Sequence, residues 1–94
     1  MYYVYVIQSG LDDSFYIGKT SNLEERLLFH NTPELNKGIT KRKIPWKYFF
    51  ILEIGDLRLA GKIENHIKRM KSRKYIQDLK KYPEITQKLI KKYS

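Results

Sequence analysis

The sequence predicts an α+β domain in which a small three-stranded sheet is covered by helices. Three observations carry that expectation. Residues 2–8 and 48–54 are β-branched and aromatic enough to form strands. Apolar residues recur at helical spacing through 60–70. Turn and capping residues divide the remainder into the order ββαβααα. Ninety-four residues make one domain, 1–94, with a core over about 1–80 and a terminal helix over about 83–93. A chain of this size buries about two thirds of its surface on folding, enough for a core without disulfides.

The run Tyr2 to Gln8 has the composition of a well-covered strand. Ser9, Gly10, Asp12, Asp13 and Ser14 then supply turn chemistry, and Phe15 to Gly18 returns as the second arm of a hairpin. Ser21 and Glu24 have the spacing of a capping box, which places a helix from Asn22 to Phe29 or His30 with Leu23 and Leu27 inward. Residues 31–47 lose all periodicity, hold Pro33, Gly38 and Pro45 among five basic residues, and read as a loop crossing the surface. The most apolar run, 48–54, reads as the central strand. Asp56 can cap a second helix that buries Ala60, Ile63, Ile67 and Met70. Ser72 opens a third helix through Tyr82. Pro83 ends it and starts a last one to about Tyr93, with Ile85, Leu89 and Ile90 on its apolar side.

Charge narrows the function. Nineteen basic residues against ten acidic leave +9, and the excess is uneven. Residues 1–30 hold two basic and four acidic side chains, whereas 31–94 hold seventeen and six. Such asymmetry points to a polyanion, nucleic acid ahead of an anionic membrane surface. The basic helices over 68–92 have too thin an apolar face for a membrane surface, so the expected partner is nucleic acid, DNA with RNA open, and no membrane. The absence of cysteine excludes disulfides, a thiol nucleophile and thiolate zinc sites. No run approaches the length of a membrane span, and the N-terminus lacks the order of a signal peptide, so a cytoplasmic location is expected.

Several residues are candidates for chemistry. Gly18-Lys19-Thr20 has the tail of a phosphate-binding P-loop, but Asp13 stands where the motif needs glycine, which excludes it. His30 and His66 are too far apart in sequence for a paired zinc motif. Arg26 precedes His30 by one helical turn, so the pair either grips a phosphate and moves a proton or is solvated surface. Glu64 lies beside the apolar stripe, followed by Lys68, Arg69, Lys71, Arg73 and Lys74. It fits either a Mg²⁺ anchor or an ordinary salt-bridged carboxylate. Tyr3 and Tyr5 share a strand face that Tyr16 can meet, and nearby cations are expected to lower the pKa of such phenols.

Tyr3-Val4-Tyr5, then ten residues, then Tyr16-Ile17-Gly18, with Arg26, His30 and Glu64 following in order, resembles the GIY-YIG nuclease family. Ser21 to Leu27, Arg42 to Lys47 and Ile67 to Lys74 are similar to its small stand-alone members. The resemblance implies a three-stranded antiparallel sheet flanked by helices and metal-dependent hydrolysis of DNA phosphodiester bonds. It implies Tyr5 as general base, Tyr16 and Arg26 on the scissile phosphate, His30 in proton transfer, and Glu64 on one Mg²⁺ or Mn²⁺. Lys19, Lys37, Lys41, Arg42, Lys43, Lys68, Arg69, Lys71, Arg73 and Lys74 are the expected nucleic-acid contacts, with a protein partner available for targeting. The sequence departs from the family pattern at Tyr3 and Val4. It also has Ile76 and Gln77 where some members carry an Asn. The other class of function open to this fold is a non-catalytic nucleic-acid-binding module.

Overall fold

In the computed structural model, which describes residues 1–94, strand β1 (Tyr2–Ser9) occupies the middle of the sheet. It pairs antiparallel with β2 (Phe15–Thr20) on one side and β3 (Trp46–Ile54) on the other, giving the order β2-β1-β3. The helices are α1 (Leu23–Asn31), α2 (Leu57–Met70), α3 (Arg73–Lys81) and α4 (Pro83–Tyr93). The α+β class and the ββαβααα order are those expected from the sequence.

The expectation that 48–54 forms the central strand is corrected: β3 is an edge strand. Coverage explains the difference. Val4, Tyr5, Val6 and Ile7 are four consecutive buried residues, as a strand covered on both faces requires. In β3, by contrast, Lys47, Ile51 and Glu53 are exposed between better-covered neighbours. The apolarity of β3 reflects the helices it touches, since α1 and α3 both pack against it.

Strand alternation divides the core. Val4 and Val6 point to the side where Ala60, Ile63 and Ile67 of α2 meet Ile76, Leu79 and Leu89. Tyr5 and Ile7 point to the other side, where they join Trp46 beneath Leu23, Leu27 and Tyr48. A register shift between Val6 and Ile7 interrupts the pairing with β3.

Helix ends follow local hydrogen bonding. The cap of α1 is Asn22 rather than Ser21, one residue later than the sequence spacing suggests. Thr20 Oγ1 accepts the Asn22 N–H at 3.1 Å, and Asn22 Oδ1 accepts the Glu25 N–H at 3.0 Å. Asp56 and Ser72 cap α2 and α3 as expected. Met70 lies outside the core, 44% exposed on the last turn of α2, because Lys71 turns left-handed (φ 47°) and ends the helix there.

The stretch 31–47 is not wholly a surface loop. A short 3-10 helix covers Ile39–Lys43, and Asn36 and Thr40 are buried. Trp46 draws this segment inward. Its indole N–H donates to the Thr40 carbonyl at 2.8 Å, while the Asn31 amide brackets the Trp46 backbone with bonds of 2.9 and 2.6 Å.

Ile63 is fully buried and Ile51 is 41% exposed. Ile63→Ala should therefore cost about 2–5 kcal/mol, and Ile51→Ala within about 0.5 kcal/mol, measured as ΔG from urea unfolding.

Candidate active site

Tyr5 is paired with Gly18 across β1 and β2, and its ring covers the glycine. A β-carbon at position 18 would lie 2.5 Å from Tyr5 Oη and 2.6 Å from Cζ, so only glycine leaves room for the phenol. Tyr5 Oη lies 2.9 Å from His30 Nε2, on the last turn of α1. Tyr48 meets the Tyr5 ring edge-on at 5.6 Å, and Tyr16 meets the His30 ring at 5.4 Å.

The expectation of a lowered phenol pKa is reversed at Tyr5. Burial raises it strongly, and the nearby Arg26 charge opposes this only in part. His30 moves the other way, down to about 4, through burial first and Arg26 second. His30 is thus a buried neutral imidazole, and the solvated-surface alternative does not apply to it.

These groups line a cleft of about 200 Å³ at the β2 edge of the sheet. Tyr5, Tyr16 and Gly18 enter from one face of the sheet. Lys19 and the Glu64 carboxylate of α2 enter from the other. Arg26 also reaches the cleft, half-buried, with its guanidinium 5.3 Å from the Phe29 ring centre and no carboxylate partner. All five residues expected for the chemistry therefore share one cleft.

Glu64 is buried, and each of its oxygens meets a lysine: Oε1 and Lys19 Nζ at 3.1 Å, Oε2 and Lys68 Nζ at 2.9 Å. No group of three or more acidic, His or Cys side chains is close enough to form a protein-only metal cage. One carboxylate facing a cleft with an unpaired arginine still suits Mg²⁺ or Mn²⁺, which take a carboxylate, waters and substrate phosphate oxygens. The two lysines are 40% and 45% exposed, so they can leave the carboxylate without disturbing the core.

The other expected nucleic-acid contacts fall into two groups. Lys37, Lys41 and Arg42 line a basic hollow that shares Gly38 and Ile39 with the cleft. Elsewhere the cations, Lys71 excepted, already have partners. Lys43 pairs with Asp12 and Lys74 with Asp78. Arg69 donates to Tyr93 Oη, and Arg73 packs over Phe15 while donating to the Asp13 carbonyl. Lys71 is exposed at the end of α2. Of the residues where some family members carry an Asn, Ile76 is a core residue and Gln77 is exposed outside the cleft.

The model of the GIY-YIG catalytic domain matches residues 1–77. The chain belongs to the GIY-YIG family. It is also 33% identical over 82 residues to the UPF0213 protein of Syntrophus aciditrophicus (strain SB), covering 87% of this chain and 93% of that protein. No solved structure matches it significantly. Membership of the GIY-YIG family points to a nuclease that acts on nucleic acid and uses a divalent metal ion. No helix in this GIY-YIG domain is long and apolar enough to cross a membrane.

Two residues beside the site escape sequence reasoning. Thr40 Oγ1 meets the His30 imidazole at Nδ1 and Asn36 Nδ2 donates to the His30 carbonyl, yet both residues sit in an aperiodic polar stretch that offers no signal of burial.

Two measurements follow from this geometry. Because His30 titrates near 4 when folded against 6.5 when unfolded, the unfolded chain binds the extra proton between those values. The stability that neutral His30 contributes is complete above about pH 6.5 and is lost as pH falls toward 4. Urea midpoints across this window should therefore fall less steeply for His30→Gln than for the unmodified protein. Separately, Gly18→Ala should displace Tyr5 and cost about 1–3 kcal/mol, visible as a lower urea midpoint and a changed near-ultraviolet tyrosine spectrum.

Proposed function

We propose that this GIY-YIG domain is a metal-dependent endonuclease that hydrolyses DNA phosphodiester bonds. The observation that supports it best is one cleft holding an unpaired arginine, a buried carboxylate and two tyrosines. Phosphodiester hydrolysis needs an aligned water, neutral non-bridging oxygens and a stabilised leaving oxygen. Arg26 offers a planar pair of donors to the phosphate, and its freedom from any internal carboxylate leaves them available. The half-buried Tyr16 hydroxyl orients the same phosphate.

Glu64 would hold the Mg²⁺ or Mn²⁺ ion. When bound, that ion neutralises charge on the phosphate and on the leaving oxygen. Lys19 and Lys68, displaced from Glu64, then face the substrate backbone. Tyr5 Oη accepts the proton of the attacking water, supported by its hydrogen bond to His30. Because burial raises the Tyr5 pKa, the phenolate is scarce at neutral pH, and the cleavage rate should climb between about pH 7 and 9. Lys37, Lys41 and Arg42 carry the strand past the cleft, and any choice of target beyond backbone shape falls to a protein partner.

The decisive assay incubates the purified protein with labelled single-stranded, duplex and flap DNA and with RNA, in Mg²⁺, Mn²⁺ or EDTA. Cleavage of DNA should require metal and fall about a hundredfold or more in Glu64→Ala, with binding largely intact. Salt-sensitive binding without cleavage in any lane would instead mark a non-catalytic nucleic-acid-binding module. In the same preparation, replacing Lys37, Lys41 and Arg42 together by Ala should make the slope of log K against log salt shallower by about 2.7.

A further inference from the structure

The cleft has an apolar neighbour. A slot of about 130 Å³ lies beside it, walled mainly by Phe15, Tyr16, Ile39 and Trp46. Slot and cleft share Tyr16, Ile39 and Thr40, so one molecule can occupy both. The Tyr16 ring serves each of them, with its centre 5.4 Å from the His30 ring of the cleft and 6.5 Å from the Trp46 ring of the slot. Ile39 is the most exposed large apolar side chain of the protein, at 74%, and belongs to neither core cluster. It also borders the basic hollow of Lys37, Lys41 and Arg42.

Chemistry narrows the occupant. A nucleotide joins a phosphate to a flat ring through a single sugar, and here a cleft with an unpaired arginine adjoins an apolar slot. Inside a duplex, both faces of a base are covered by its neighbours. Its face reaches Ile39 and Tyr16 only after it leaves the stack. The polar groups around the slot are already engaged. The Trp46 indole N–H donates to the Thr40 carbonyl at 2.8 Å. Lys43 Nζ donates to Asp12 at 2.9 Å and to Ser14 Oγ at 3.1 Å, and Ser14 donates to Asp12 at 2.6 Å. Recognition there rests on stacking, which every base supplies, rather than on a pattern of hydrogen bonds.

We propose that this slot is a nucleobase subsite, which takes one unstacked base of any identity from the nucleotide beside the phosphate at Arg26, with Ile39 packed on that base. The subsite rests on the phosphate site of the endonuclease reading, but not on hydrolysis. A strand with unpaired nucleotides is the substrate class that fills slot and cleft together.

Trp46 is the chain's only tryptophan, so its fluorescence reports the slot. The full chain is titrated in EDTA, where nothing is cleaved. Hexathymidylate should quench Trp46 saturably and shift the Ile39 methyl signals in ¹³C spectra. An abasic strand of equal length and a blunt hairpin duplex should leave both signals in place. Ile39→Ala keeps the fold, because the side chain lies outside the core. It should weaken hexathymidylate about tenfold and the abasic strand less than about twofold. The slope of log K against log salt should not change, since no phosphate contact is lost. Hexa-adenylate and hexauridylate test base and sugar in turn, and each should lose affinity in Ile39→Ala to within about threefold of the thymidylate loss. Equal weakening of the base-bearing and abasic strands overturns the subsite, as do Trp46 and Ile39 signals that no strand moves. Equal quenching by the hairpin overturns the need for an unstacked base, and a loss confined to one base overturns the indifference to identity. If strands bind and move these signals but Mg²⁺ or Mn²⁺ brings no cleavage, the endonuclease reading falls while the subsite stands.

Discussion

The central place of β1 governs both the core and the cleft. A strand paired on both sides has no free edge, so its only outlets are its two faces, and here both are covered. Alternation sends Val4 and Val6 to the large cluster under α2 and sends Tyr5 to the other side. A phenol is thereby taken out of water and must find a polar partner at a fixed place. The last turn of α1 supplies His30 there, and Thr40, itself held by the Asn36 amide, meets the far side of the imidazole. Trp46 closes the arrangement by tying the 3-10 segment to the start of β3.

Electrostatics works against this burial only in part. Arg26 favours the phenolate of Tyr5, yet desolvation outweighs it. The same two influences act together on His30, where both disfavour the charged ring. One arginine therefore helps to keep its two buried neighbours in opposite positions: a histidine that stays neutral and a tyrosine that is less resistant to ionisation than burial alone would make it. The lysines on Glu64 are a looser matter. Their side chains are 40% and 45% exposed, but the Glu64 carboxylate they meet is buried, so Lys19 and Lys68 exchange it for a phosphate at small cost only where another cation takes their place on Glu64. The excess positive charge is thus not one continuous patch. Part of it holds the protein together, and part waits at the cleft.

Strands and helices were legible because each rests on a local rule. The five residues meeting in the cleft were legible only as an ordered set, through the resemblance to the GIY-YIG family, because alternation and helical spacing taken singly fit an ordinary strand tyrosine, a solvated pair or a salt-bridged carboxylate equally well. What stayed hidden depends on three-dimensional packing. An apolar run cannot report its neighbours, so β3 looked central although β1 holds that place. Ser21 and Asn22 are equally good caps by composition, and the Thr20 hydroxyl decides between them. Counting cations near Tyr5 gives the sign of one influence and misses desolvation, which is the larger. Asn36 and Thr40 look like solvent-facing loop residues until Trp46 pulls them inward.

The close approach of Tyr5 to Gly18 bears on how the motif itself is spelled. The family's name contains two glycines, and this chain has only the second. Position 3, paired with Thr20 and Glu53, accommodates a half-buried tyrosine. Position 18 has a phenol where its side chain would be. The two letters are therefore unequal in meaning: one records a habit of composition, the other a volume already occupied. A substitution survey of this domain would find the first freely exchangeable and the second tolerant only when Tyr5 is made smaller at the same time.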